Sequence, residues 1–303
     1  MPLPFVYLVL AAASWGTGTV ISKQALDAIA PVVLLVVQLT VSVVLLTVLT
    51  AGGGRRRPST PTDRRAMLLG LLNPGLSYAL ALVGLSMIAA NTSVLIWATE
   101  PALIVLLAML FLGERLTLPL GGALVLALTG VVLVVYSGGV SGSAAGVALT
   151  IGAVLACAVY TVLARVWAVD SATATITLGQ QAAALVFALV LALVVASLGA
   201  EGLTGPVPLE EVPLKSWVAA VVSGAVYYAL AFWLYLSALK DVSASVAGSF
   251  LTLVPVFGVA AALLTGERLD TRQWIGATLV VSSVAVIARA SSGSSDRTLG
   301  VQK

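Results

Sequence analysis

Apolar residues run along this chain in blocks, and inside the blocks they do not alternate with polar ones. Val32–Val37 and Val186–Val195 are apolar at every position. A membrane barrel strand alternates apolar and polar residues, so these runs read as helices. A helix needs roughly 20 mostly apolar residues to cross a bilayer, and the blocks break at charges, prolines and glycine clusters. The pattern predicts spans at about 5–26, 31–50, 66–87, 92–112, 118–137, 144–166, 171–198, 215–237, 242–265 and 272–289, ten in all.

The pattern is also duplicated. Pro101–Leu116 and Pro255–Leu269 both run from a proline through an apolar stretch to Gly-Glu-Arg-Leu. Upstream, Gly84-Leu85, Ala90 and Pro101 match Ala238-Leu239, Ala244 and Pro255 at a constant offset of 154. Five spans per repeat is an odd number, so the two halves must enter the membrane in opposite directions. That is an inverted repeat, an architecture in which a site near the midplane opens to either face in turn. The reading divides the chain into a first repeat at 1–137, a Gly-rich linker at 138–146, a second repeat at 147–290 and a disordered cytoplasmic tail at 291–303.

Composition narrows the class. Hydrophobic residues make up 60% of the chain and charged residues 9%, far below the roughly 25% charge of a soluble protein. The surface must therefore meet lipid, where helices satisfy their own backbone groups. If the N-terminus is cytoplasmic, eleven Lys and Arg residues fall on the inner side and four on the outer, with Arg55, Arg56, Arg57, Arg64 and Arg65 dominating. The positive-inside rule then places both termini in the cytoplasm and the chain in a cytoplasmic (inner) membrane. No basic n-region or Ala-x-Ala site marks a signal peptide, so Phe5–Ala25 reads as a retained helix. The net charge of +3 gives no sign of a nucleic-acid partner.

Several motifs together resemble the drug/metabolite transporter superfamily, specifically its EamA-type members. Ser14-Trp15-Gly16-Thr17 followed by Lys23 looks like the family's opening helix, and Ala158-Val159-Tyr160-Thr161 with Arg165 looks like its counterpart in span 6. The two Pro…Gly-Glu-Arg-Leu blocks resemble the fourth helices of each repeat. Gly121-Gly122-Ala123 and Ile275-Gly276-Ala277 resemble the starts of the fifth. The resemblance covers nearly the whole chain. It implies an all-α protein of ten helices in two inverted repeats that transports small metabolites, often exporting amino acids or amphipathic compounds. The chain departs from small multidrug-resistance relatives, which carry a glutamate in the first helix; span 1 here has no carboxylate before Asp27.

Glu100 is the sharpest candidate for chemistry. It is the one acidic residue well inside a predicted span, about 12 Å along span 4 at a rise of about 1.5 Å per residue. A carboxylate there costs about 2.5–3.5 kcal/mol and is tolerated facing a cavity or a partner. It suits a proton-coupling group or an ammonium-binding group, with a structural glutamate beside Pro101 as the plain alternative. Val254 stands at the matching position of the second repeat. Ser93, Trp97 and Glu100 share one helical face. Pro101 and Pro255 each remove a backbone donor within their helices, freeing carbonyls near Trp97 and Leu251.

Further candidates for substrate binding are Trp15 and Thr17 in span 1, Tyr78 in span 3, Tyr160 in span 6, Tyr227 and Tyr228 in span 8, and Ser245 and Ser249 in span 9. Aromatic walls and hydroxyls with few fixed charges suit amphipathic, zwitterionic or apolar molecules. Lys23 and Arg165 lie near helix ends, where such side chains snorkel to headgroups or pair with a substrate carboxylate. Gly18–Ser22 and Gly248–Thr252 carry spacings that allow helices to approach closely.

Function classes follow. No GxxxxGK[ST] signature is present, so the chain itself lacks a P-loop. With no histidine, one cysteine and one deep carboxylate, it lacks an aspartate dyad, a Ser-His pair and a zinc set, and an enzyme is not expected. The expectation is a secondary transporter with a small-molecule substrate, no cofactor and no metal. Alternatives are a facilitator or exchanger of a drug, nucleotide-derived or sugar metabolite, and a channel. A ten-helix duplicated chain can be complete as a monomer.

Overall fold

The computed structural model describes residues 2–26, 28–51, 61–88, 96–135, 143–168, 172–199, 211–264 and 271–299. Asp27, Ser93, the second Gly-Glu-Arg-Leu segment and most of the expected linker lie outside the described residues. The elements are helices: α1 (Leu3–Leu26), α2 (Pro31–Ala51), α3 (Pro61–Leu68), α4 (Ser77–Met87), α5 (Glu100–Leu112), α6 (Leu118–Val135), α7 (Ala144–Trp167), α8 (Thr173–Ser197), α9 (Leu214–Ser223), α10 (Ala231–Leu239), α11 (Ala244–Phe250), α12 (Leu253–Leu264) and α13 (Thr271–Leu299). The last helix continues past residue 290, where the sequence reading expects a tail.

Among the described residues, six stretches are long and apolar enough to cross a membrane: Leu3–Leu26, Pro31–Ala51, Pro61–Gly84, Ala144–Trp167, Thr173–Ser197 and Leu214–Leu239. Four shorter apolar helices, Glu100–Leu112, Leu118–Leu133, Ala244–Gly258 and Trp274–Ile287, fall on the other four predicted spans. Outward-facing side chains are apolar, with Leu110, Phe111 and Leu193 at least 67% exposed. A soluble protein would not present such a surface.

The third span is broken in its middle. Pro74 crowds the residue before it and pushes that residue toward extended dihedrals. Asn73 adopts φ −146° and ψ 121°, a kink that joins two helical stretches within Leu72–Leu76. The eighth span stays helical and instead widens into a π turn at Gly224–Leu230. Such π turns recur at functional sites because they reorient neighbouring side chains.

The fourth and ninth spans are also interrupted, which corrects the expectation of continuous, proline-kinked helices. Pro101 stands in the first turn of α5 rather than in mid-helix, a position where its missing N–H costs nothing. In the ninth span, α11 ends at Phe250 and α12 begins at Leu253. The turn between them is tight: Leu251 N–H donates to the Gly248 carbonyl at 3.0 Å and Val254 N–H to the Leu251 carbonyl at 3.0 Å. The Leu251 carbonyl that Pro255 would leave free is thereby used.

The helices pack with an internal exchange symmetry. α1 lies along α12, α10 and α9, while α7 lies along α5, α4 and α3. α2 packs on α8, α5 on α11, and α6 on α13. Exchanging spans 1–5 for spans 6–10 maps this set of neighbours onto itself. Glycine permits the tightest of these approaches. A Cβ on Gly16 would lie 2.5 Å from the Val254 carbonyl oxygen, so α1 and α12 touch backbone to backbone there.

Candidate functional site

An aromatic wall runs through the core of the bundle. Trp15 on α1 meets Phe232 and Tyr235 on α10 edge-on, with ring centroids 5.5 and 5.3 Å apart. Tyr78 on α4 meets Tyr227, Tyr228 and Phe232 at 5.5, 5.4 and 6.1 Å. Tyr160 on α7 joins through Phe232 at 6.1 Å. Edge-on and tilted rings bring positive edges to negative faces, which fixes their orientation as well as burying area. The wall draws on spans 1, 3, 6 and 8. Tyr227 and Tyr228 reach it from the π turn of the eighth span.

Glu100 is buried beside this wall, 8% exposed. It occupies the first turn of α5, preceded by Thr99. The positive end of a helix favours a carboxylate at that place. The Cys157 thiol on α7 lies against the Glu100 side chain. Asn73 Nδ2 donates to Cys157 Sγ at 3.3 Å, so the extended dihedrals imposed by Pro74 bring span 3 to the same point. Ser77 donates to the Ala153 carbonyl at 2.9 Å, joining α4 to α7. The Tyr227 hydroxyl lies near those of Tyr78 and Thr19, and the Thr19 hydroxyl donates to the Trp15 carbonyl at 2.8 Å. Three buried polar atoms in this region have no partner among the described residues: Trp15 Nε1, Asn73 Oδ1 and Gln181 Oε1.

Buried amides clamp the helices around the wall. Gln38 on α2 donates to Ser22 Oγ at 2.9 Å and to Ser223 Oγ at 2.7 Å. Gln180 on α8 donates to the Ala66 carbonyl at 2.8 Å and accepts from the Tyr160 hydroxyl at 2.9 Å. Gln181 donates to the Tyr228 carbonyl at 3.3 Å, which is a π-turn carbonyl.

Of the residues singled out in the sequence, Trp15, Tyr78, Tyr160, Tyr227, Tyr228 and Glu100 come together here. Trp97 is half-buried against the same core. Thr17 does not join: its hydroxyl donates back to the Ala13 carbonyl at 2.7 Å. Ser249 likewise bonds the Ser245 carbonyl of its own helix at 2.7 Å, and Ser245 lies at the α11 N-terminus. Arg165 Nη1 donates to the Lys240 carbonyl at 3.3 Å, at the end of α10. Cys157, Phe232 and the three glutamines were missed. Gln38 and Gln180 stand 142 apart, as do Lys23 and Arg165, and that shared offset was the available signal.

A solved structure described only as "Crystal structure of protein" superposes with a TM-score of 0.79 over 95% of this chain and 97% of its own, at 18% identity. At that identity the likeness establishes the fold. No curated protein matches the chain. The EamA-like transporter family matches residues 3–136 and again residues 144–289, one match on each side of the duplication. The chain thus belongs to the EamA-like transporter family, a family of membrane transporters.

Proposed function

We propose that this protein is a secondary transporter that exports small amphipathic metabolites, amino acids above all, by alternating access. In this reading ten helices form two inverted five-helix repeats, with both termini in the cytoplasm and the chain in the inner membrane. Family membership supports a transporter of small molecules. The exchange symmetry of the packing supports two equivalent halves that rock around a shared centre. The observation that carries the reading is Glu100: a buried carboxylate at a helix start, facing an aromatic wall built from both halves. The wall suits the apolar body of a substrate. Glu100 supplies the one group there able to exchange a proton for a substrate ammonium.

The test is counterflow in proteoliposomes, with a mixed panel of amino acids inside and labelled competitors outside. Wild type is compared with Glu100→Gln, with and without a pH gradient. Wild type should exchange a subset of the panel and respond to the gradient; the variant should lose the response. If no amino acid exchanges, the substrate assignment fails. If both proteins respond equally to the gradient, Glu100 is not the coupling group.

A further inference from the structure

The polar atoms around Glu100 are unevenly satisfied. An ionised carboxylate offers about four acceptor positions, and among the described residues the Glu100 carboxyl lies against the Cys157 thiol. Asn73 is 2% exposed, and its Nδ2 is held by Cys157 Sγ at 3.3 Å, yet its Oδ1 accepts nothing. Glu100 and Asn73 therefore converge on one sulfur; Asn73 Oδ1 is a buried acceptor without a partner, and the Glu100 carboxyl beside the same sulfur adds a group able to carry charge. On the donor side, the Trp15 indole N–H is buried without a partner. Unfilled buried polar groups are costly and call for an occupant.

The imbalance has a chemical sense. A primary ammonium brings three donors and a positive charge, matching the unfilled Asn73 amide oxygen and the neighbouring Glu100 carboxylate. Trp15, Tyr78 and Tyr227 supply ring faces for the cation and for an aromatic or apolar body. For a carboxylate, the one buried donor without a partner among the described residues of the wall is the neutral Trp15 N–H, with tyrosine hydroxyls beside it and no cation. We propose that Glu100 and Asn73 form an ammonium subsite, and that the ligand is an aromatic or apolar primary amine for which a carboxylate is dispensable. The proposal rests on the transporter reading and adds its recognition chemistry: the amine anchors, and the acid group of an amino acid does not.

Cys157 gives a direct readout, since it is the only cysteine of the chain and lies between the two acceptors. The full-length protein in nanodiscs is labelled with N-ethylmaleimide in the presence of phenethylamine, phenylalanine or 3-phenylpropionate. Both amines should slow labelling by roughly fivefold or more near saturation, and the acid by less than about twofold. Glu100→Gln should abolish the protection. As a measurement independent of the thiol, phenethylamine should raise the melting temperature of both wild type and Cys157→Ser, and leave Glu100→Gln and Asn73→Leu unmoved. Protection by the acid equal to that by the amines overturns the subsite. So does the absence of both amine protection and amine stabilisation. Amino-acid counterflow that persists without amine binding removes the subsite alone, whereas amine binding without any exchange removes the transporter reading and leaves the subsite standing.

Discussion

Gln180 has no exposed surface, and its side chain joins three helices by donating to the Ala66 carbonyl and accepting from Tyr160. Leucine at this position keeps the volume and leaves two buried groups unpaired, at about 1–3 kcal/mol each. Gln180→Leu should therefore lower the melting temperature in detergent by several degrees, and Gln38→Leu should do the same through Ser22 and Ser223. Variants that melt with the wild type would show that the amides hold nothing together. Glu100 was legible in the sequence because a lone acid inside an apolar span has no cheap explanation. A lone glutamine is far less costly in a helix bundle and draws no attention, although its duplication 142 residues on marks it. Cys157 was illegible for another reason. Its significance comes from Asn73 and Glu100, which reach it from other helices, and no local pattern encodes that meeting.

At the scale of elements, the Gly-Glu-Arg-Leu segment acquires a task beyond marking the repeat. Gly113 ends α5 in a left-handed conformation, φ 66°, which glycine adopts without strain. Glu114 is thereby carried over to the start of α11 in the other half. Its two carboxylate oxygens accept from Ala244 N–H at 2.9 Å and Ser245 N–H at 3.0 Å. Ser243 Oγ accepts from Val246 N–H at 3.3 Å, so three of the exposed amides of α11 are satisfied together. Arg165 holds the Lys240 carbonyl at the same end of the bundle. Loss of a cap of this kind costs about 0.5–2 kcal/mol. In Glu114→Ala, hydrogen exchange at the Ala244 and Ser245 amides should accelerate by about 2- to 30-fold relative to wild type. Unchanged exchange would mean that the carboxylate does not close the helix. Element boundaries were less legible than the elements. The prolines told where spans 4 and 9 change, but the tight turn at Leu251 depends on bonds one residue shorter than the helix repeat. Asn73-Pro74 announces the kink of span 3, whereas the π turn of span 8 carries no periodic signature and nothing in Gly224–Leu230 announces it.

At the scale of the whole molecule, the exchange symmetry separates two kinds of contact between the halves. α6 and α13 pack chiefly on each other and meet the remaining helices through α11 and α12. A Cβ on Gly130 would lie 3.1 Å from Leu279 Cβ across that pair. α5 and α11 also pack on each other, but α5 begins at Glu100 and α11 belongs to the interrupted ninth span. A Cβ on Gly248 would lie 3.0 Å from Ile104 Cβ across this second pair. Both positions bring side chains close enough for a disulfide, whose Cβ atoms stand about 3.5–4.5 Å apart. If the halves rock about a central site, α5 and α11 must shift against each other while α6 and α13 move little. In a Cys157→Ser background, oxidising the pair Gly130→Cys with Leu279→Cys should leave counterflow within about twofold of the reduced protein. Oxidising Ile104→Cys with Gly248→Cys should abolish it, and reduction should restore it. A protein cross-linked between α5 and α11 that still exchanges substrate at the reduced rate would mean that these helices do not part during transport. The site at Glu100 would then have to open by another route, such as the kink of span 3 or the π turn of span 8.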